Sequence, residues 1–164
     1  MCEQVASQRG LSRRVMVVDD SAMLRELLSN SLTAFGYEVV ARAADGQEAV
    51  ELFSKLRPDA VLLDIKMPNF DGWYALQRIL ELDPNTIVIM LTAEKESEVR
   101  ELCSKRGAKG FLHKPFVMDR LHEEIRMLMG VANIAKANGE VSDEYYQYWV
   151  KPKVSFPHKV DGED

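Results

Sequence analysis

The chain has 164 residues with a formal net charge of −5; 46% are hydrophobic and 29% are charged. That length suits one ordinary domain with a tail, large enough to bury a core without a disulfide or a structural metal. The acidic balance and the lack of a basic stripe argue against nucleic acid as the main partner, and apolar runs such as Val15–Val18 and Ile87–Leu91 are too short for membrane insertion.

Residues 1–12 read as an N-terminal tail, polar and mixed in charge, without a signal-peptide pattern. Val15–Val18 then forms a β-branched run of the kind expected in a strand buried on both faces. Leu24, Leu27, Leu28, Leu32 and Phe35 fall at helical spacing, and Gly36 is placed to end that helix. Val39-Val40 marks the second strand. Ala49, Leu52, Phe53 and Leu56 mark the second helix, stopped by Pro58. Ala60–Leu63 is the third strand, and Trp73, Leu76, Ile79 and Leu80 give the third helix before Pro84. Ile87–Leu91 is followed by a weaker helical stripe, Val99, Leu102 and Cys103, closed by Gly107. Gly110–Leu112 is the last strand, and Leu121, Ile125 and Leu128 predict a fifth helix ending near Gly130. Five strand–helix units imply an α/β fold: a doubly wound (βα)5 parallel sheet, with strand order 2-1-3-4-5.

Ligands in such sheets bind at the carboxyl ends of the strands. Asp19-Asp20 ends the first strand, Asp64 the third and Thr92 the fourth; Lys114-Pro115 follows the fifth. Taken singly, each has a plain explanation. Asp19-Asp20 could cap the next helix with Ser21, Thr92 could cap the fourth, and Lys114 could be a solvated charge. Together they place three carboxylates, a hydroxyl and an ammonium on one rim. Crowded carboxylates stay ionised only beside a cation. Few hard oxygen ligands suit Mg²⁺, which completes its shell with water and phosphate oxygens. One lysine cannot balance three carboxylates, but it can balance an added phosphoryl group.

The segments VMVVDDS, AVLLDIKMPNFDG, IVIMLTA and KGFLHKPF resemble the receiver domain of two-component response regulators, over residues 13–130. The resemblance implies a flavodoxin-like fold, with Asp64 as phosphoacceptor and a sensor histidine kinase as donor. It implies Asp20, Asp64 and the backbone carbonyl of Lys66 as Mg²⁺ ligands, with Asp19 acting through a coordinated water. Thr92 and Lys114 would hold the phosphoryl oxygens, and the Lys114-Pro115 bond would be cis. Thr92 and Phe111 would form the switch, although simple core packing also accounts for Phe111. Output would pass to a target through the face of the fourth helix, fifth strand and fifth helix. Lys66 and Glu94 would flank the phosphoryl group, either closing over it or remaining an exposed pair of little consequence.

The sequence VDDSAMLR reads more like chemotaxis-type receivers than transcription factors, so a stand-alone, cytoplasmic motility regulator is expected, not an enzyme. A phosphorelay intermediate shares the same site chemistry. A phosphatase with an Asp nucleophile would want a second Asp where Lys66 stands. Residues 131–164 form an extension without a recognisable output domain. Its aromatic segment Glu144–Trp149 could pack back on the domain, dock onto a partner or a second subunit as in a homodimer, or be a linker. Cys2 and Cys103 are expected as reduced thiols, and His113 and His122 as surface histidines.

Overall fold

The computed structural model describes residues 14–94 and 96–138. Cys2 and the aromatic segment Glu144–Trp149 lie outside them. Five strands alternate with five helices: β1 (Arg14–Val18), α1 (Ala22–Ala34), β2 (Glu38–Ala43), α2 (Gly46–Leu56), β3 (Ala60–Asp64), α3 (Gly72–Leu82), β4 (Ile87–Thr92), α4 (Glu96–Lys105), β5 (Gly110–His113) and α5 (Met118–Asn138). The strands are all parallel, in the order β2-β1-β3-β4-β5.

Successive strand side chains point to opposite faces, so the continuous apolar runs feed two separate cores. Met16, Val18, Val61, Leu63, Val88 and Met90 pack with residues of α2, α3 and α4, among them Phe53, Leu76, Ile79 and Val99. Val15, Val17, Leu62, Ile89 and Leu91 pack with Leu28 and Leu32 of α1 and with Leu121, Ile125 and Leu128 of α5. Every residue of β3 and β4 is buried. The two winding directions therefore leave a crevice at the carboxyl ends of β1 and β3.

The punctuation residues act as their chemistry requires. Ser21, Asp45 and Asp71 cap α1, α2 and α3 by accepting the amide protons of Leu24, Glu48 and Tyr74. Gly36, at φ 93°, turns the chain out of α1 while Tyr37 N donates to Leu32 O at 3.0 Å. The fourth turn closes in the same way, Ala108 N donating to Cys103 O at 3.0 Å.

Three sequence expectations need correcting. α5 does not end near Gly130 but continues to Asn138, because a lone interior glycine weakens a helix without breaking it. Leu27 and Leu102 are 51% and 38% exposed, since the buried stripe of each helix is narrower than its apolar pattern. His122 is not a simple surface residue: its ring stacks on Phe35 with centroids 3.9 Å apart. His113 is exposed, as expected. Among the described residues no helix is long and apolar enough to cross a membrane.

Candidate functional site

Register brings the rim residues together. Val18 pairs with Leu63, so Asp19 follows on β1 level with Asp64 on β3. Asp64 pairs with Leu91, which puts Thr92 one step further along β4. Thr92 in turn pairs with His113, so Lys114 leaves β5 beside it, its amide donating to Thr92 O at 2.7 Å. The Lys114-Pro115 bond is cis.

Carboxylate oxygens of Asp19, Asp20 and Asp64 all lie within 4.8 Å of one another. Asp19 and Asp64 are buried, at 1% and 6% exposure, whereas Asp20 faces solvent. The Lys114 ammonium donates to Asp19 Oδ2 at 2.8 Å and lies 3.3 Å from Asp64 Oδ1. Asp19 is fixed from several sides: Oδ1 accepts from Ser21 N at 2.8 Å, and its carbonyl accepts from Arg25 Nη1 at 2.6 Å. Thus Ser21, rather than either aspartate, caps α1. The hydroxyl of the buried Thr92 accepts from Glu94 N at 3.0 Å, a local turn and not the helix cap considered from sequence.

The loop after Asp64 is built on close backbone approach. A Cβ at Gly72 would stand 2.3 Å from the Asp64 carbonyl oxygen, so the position admits only glycine. Gly72 N donates to Ile65 O at 2.8 Å, and Gly46 N at the start of α2 donates to Phe70 O at 2.7 Å. Sequence reasoning missed Gly72 and Arg25 as supports of the site. The Asp71-Gly72 dipeptide is a turn signal that points to the first; for Arg25 the only trace is a basic residue in the opening turn of α1.

The Lys66 side chain stays away from the carboxylates and pairs with Glu94 at 3.1 Å, being itself 75% exposed. The pair edges a cavity of about 420 Å³ lined by Ile65, Met67, Pro68, Asp71 and Trp73. Phe111 is buried at 8% exposure, within the core rather than at the surface.

Charge crowding sets the chemistry. Burial pushes the Asp64 carboxyl up from 3.8 to about 6; Lys114 opposes this, and Asp19 and Asp20 add to it. Burial pulls the Lys114 ammonium down, but the Asp19 and Asp64 carboxylates outweigh it and hold the group above its ordinary value. Three converging carboxylates with a single lysine are short of positive charge, so the residue set fits a hard divalent cation with oxygen ligands. Burial also pushes the Cys103 thiol up to about 12, which leaves it unreactive at neutral pH.

The family model for the response regulator receiver domain matches residues 15–126. The chain belongs to this family. The receiver is 39% identical to the chemotaxis protein CheY of Thermotoga maritima over 115 residues, covering 70% of this chain and 96% of that protein. It is 38% identical to a protein-glutamate methylesterase/protein-glutamine glutaminase of Archaeoglobus fulgidus, matching over 78% of this chain but only 41% of the enzyme. Among solved structures it resembles a CheX–CheY–BeF3–Mg²⁺ complex from Borrelia burgdorferi, with a TM-score of 0.71 and 33% identity over 74% of this chain and 92% of that one. The receiver thus shares the fold and the two-component signalling class read from its sequence.

Proposed function

We propose that the receiver accepts a phosphoryl group on Asp64 from the phosphohistidine of a sensor histidine kinase and relays the signal by contact with a downstream protein. One constellation carries this reading: three carboxylates within 4.8 Å, with Lys114 at 2.8 Å and 3.3 Å from two of them. Mg²⁺ would be held by Asp20, Asp64 and the Lys66 carbonyl, with Asp19 acting through a water, and when bound would neutralise the carboxylates and a phosphoryl oxygen.

The chain's own groups do the rest. An Asp64 carboxylate oxygen attacks phosphorus in line; its P–O bond forms as the P–N bond of phosphohistidine breaks, and the imidazole leaves with the electron pair. Such a transfer has a loose transition state, so positioning and charge neutralisation supply the catalysis. Lys114 is already paired with Asp64 and can follow a phosphoryl oxygen without leaving the rim. Thr92, one step along β4, can exchange its acceptor role toward Glu94 N for donation to a second oxygen. Water then attacks the mixed anhydride, releasing phosphate and restoring Asp64, so the signal decays without a separate enzyme.

Similarity to CheY proteins over nearly their whole length favours chemotaxis, with a cytoplasmic site of action. The output face would comprise α4, β5 and α5. The test is acetyl phosphate labelling of the protein with and without Mg²⁺. A labelled, hydroxylamine-sensitive product that needs Mg²⁺ and is lost in Asp64→Asn is expected; labelling that survives this substitution would overturn the assignment.

A further inference from the structure

Asp19 is tied to the sheet through its amide, which donates to Ala43 O at 3.1 Å, and to the start of α1 through Oδ1, which accepts from Ser21 N at 2.8 Å. Asp20 lies between these anchors and faces solvent, so the main chain aims its carboxylate. The Arg25 guanidinium reaches back from the opening turn of α1 and donates to Asp19 O at 2.6 Å. A peptide unit is planar, so that oxygen, the next nitrogen and the Cα of Asp20 move as one body. A hold on the oxygen therefore fixes where Asp20 leaves the turn. Helix stability does not account for this arginine, since a cation in the first turn opposes the helix dipole. Arg42 lines the same cavity as Arg25, about 420 Å³ in volume and edged by Glu26 and Glu48, and brings a second cation without the carbonyl contact.

We propose that Arg25 is a positioning residue, whose hydrogen bond to Asp19 O presets the Asp20 carboxylate and thereby tightens the hold of the acidic rim on Mg²⁺. The proposal rests on the reading of that rim as a Mg²⁺ site; the hold on the turn stands apart from it. Charge alone predicts the opposite sign. A guanidinium near the rim repels a divalent cation, so removing a mere bystander would strengthen binding. Losing an outer partner that orients a metal ligand weakens it.

Three substitutions separate the bond from the charge. Arg25→Met keeps the apolar stem and removes both, Arg25→Lys keeps a cationic donor, and Arg42→Met removes a neighbouring charge only. In metal-free protein the Asp19 carbonyl ¹³C signal should move upfield in Arg25→Met, as the loss of a hydrogen bond requires, and keep its place in the other two. Mg²⁺ titration followed by amide shifts should then show about tenfold weaker binding in Arg25→Met. Arg25→Lys should recover most of that loss, and Arg42→Met should bind Mg²⁺ at least as tightly as wild type. At saturating Mg²⁺, acetyl phosphate labelling of Arg25→Met should return to within about two-fold of wild type, because the bond acts on metal affinity and not on the transfer itself. Unchanged or tighter Mg²⁺ binding by Arg25→Met overturns the proposal, as does an equal loss in Arg42→Met or Arg25→Lys, or labelling that stays low at saturation. Should Arg25→Met fail to fold, Arg25→Gln, which lacks both the charge and the reach, takes its place with the same expected loss. If wild type takes up no Mg²⁺, the metal reading falls, while the metal-free carbonyl signal still decides whether Arg25 holds the turn.

Discussion

The two ends of the sheet follow opposite electrostatic rules. At the carboxyl ends of the strands, three carboxylates crowd around one lysine, and burial pushes the Asp64 carboxyl up from 3.8 to about 6. At the other end, charge is matched to its surroundings. Arg14 donates to Arg57 O at 2.9 Å and to Leu56 O at 2.7 Å, where α2 ends, and Arg57 donates to Leu82 O at 3.1 Å, where α3 ends. Asp59 accepts from Arg14 N at 3.2 Å. Cations there meet the negative ends of helix dipoles and satisfy orphan carbonyls. One rim is arranged for stability, and the other keeps an electrostatic deficit that a cation and a phosphoryl group can use.

The sharpest way to break this comparison is Asp64→Asn. It should abolish phosphoryl acceptance and the beryllofluoride response, read by acetyl phosphate labelling and NMR, while the fold remains. Next in size is Gly72→Ala, which forces a methyl group against the Asp64 carbonyl. A loss of about 3 kcal/mol or more in urea unfolding is expected.

The acidic rim should also destabilise the metal-free protein as Asp64 ionises. Its folded pKa of about 6 lies above the unfolded value of 3.8, so its contribution is complete below 3.8 and is lost as pH rises through about 6. The stability gap between Asp64→Asn and wild type in EDTA should therefore widen by about 2 kcal/mol between pH 4 and pH 8. A gap independent of pH would mean that the rim carries no such deficit. On the opposite rim, Arg14→Ala should cost about 1 kcal/mol by urea melts, with phosphorylation unchanged.

The smallest effect is expected at the edge of the site. Lys66→Asn removes an ion pair that is mostly solvated, so stability should change by less than about 0.5 kcal/mol. Decay of the phosphorylated form is the informative readout there. Faster decay in the variant would indicate that the pair hinders water, and an equal rate would make it ordinary surface charge.

Much of this arrangement is legible in the chain itself. The β-branched run Val15–Val18 and the apolar run Ile87–Leu91 mark central strands because both faces of those strands are covered. Asp19, Asp20, Asp64, Thr92 and Lys114 stand out because each follows a strand, and in a parallel sheet every strand ends on the same rim. Helix limits were less legible. Gly130 resembles a stop yet lies within α5, because one glycine costs a helix only about 1 kcal/mol. His122 looked solvent-facing because its stacking partner Phe35 lies on another helix end, far away in sequence.

The sequence by itself determined the alternation of strands and helices, the order of the sheet and the membership of the acidic rim, since these depend on local periodicity, crossover handedness and the direction of the strands. The tertiary structure decided how the rim's charges are shared: Lys114 bonds Asp19 more closely than Asp64, Ser21 rather than an aspartate caps α1, and Arg100 covers Phe111. Those partners are chosen by distances of a few ångströms between groups far apart in the chain, and no local pattern encodes them.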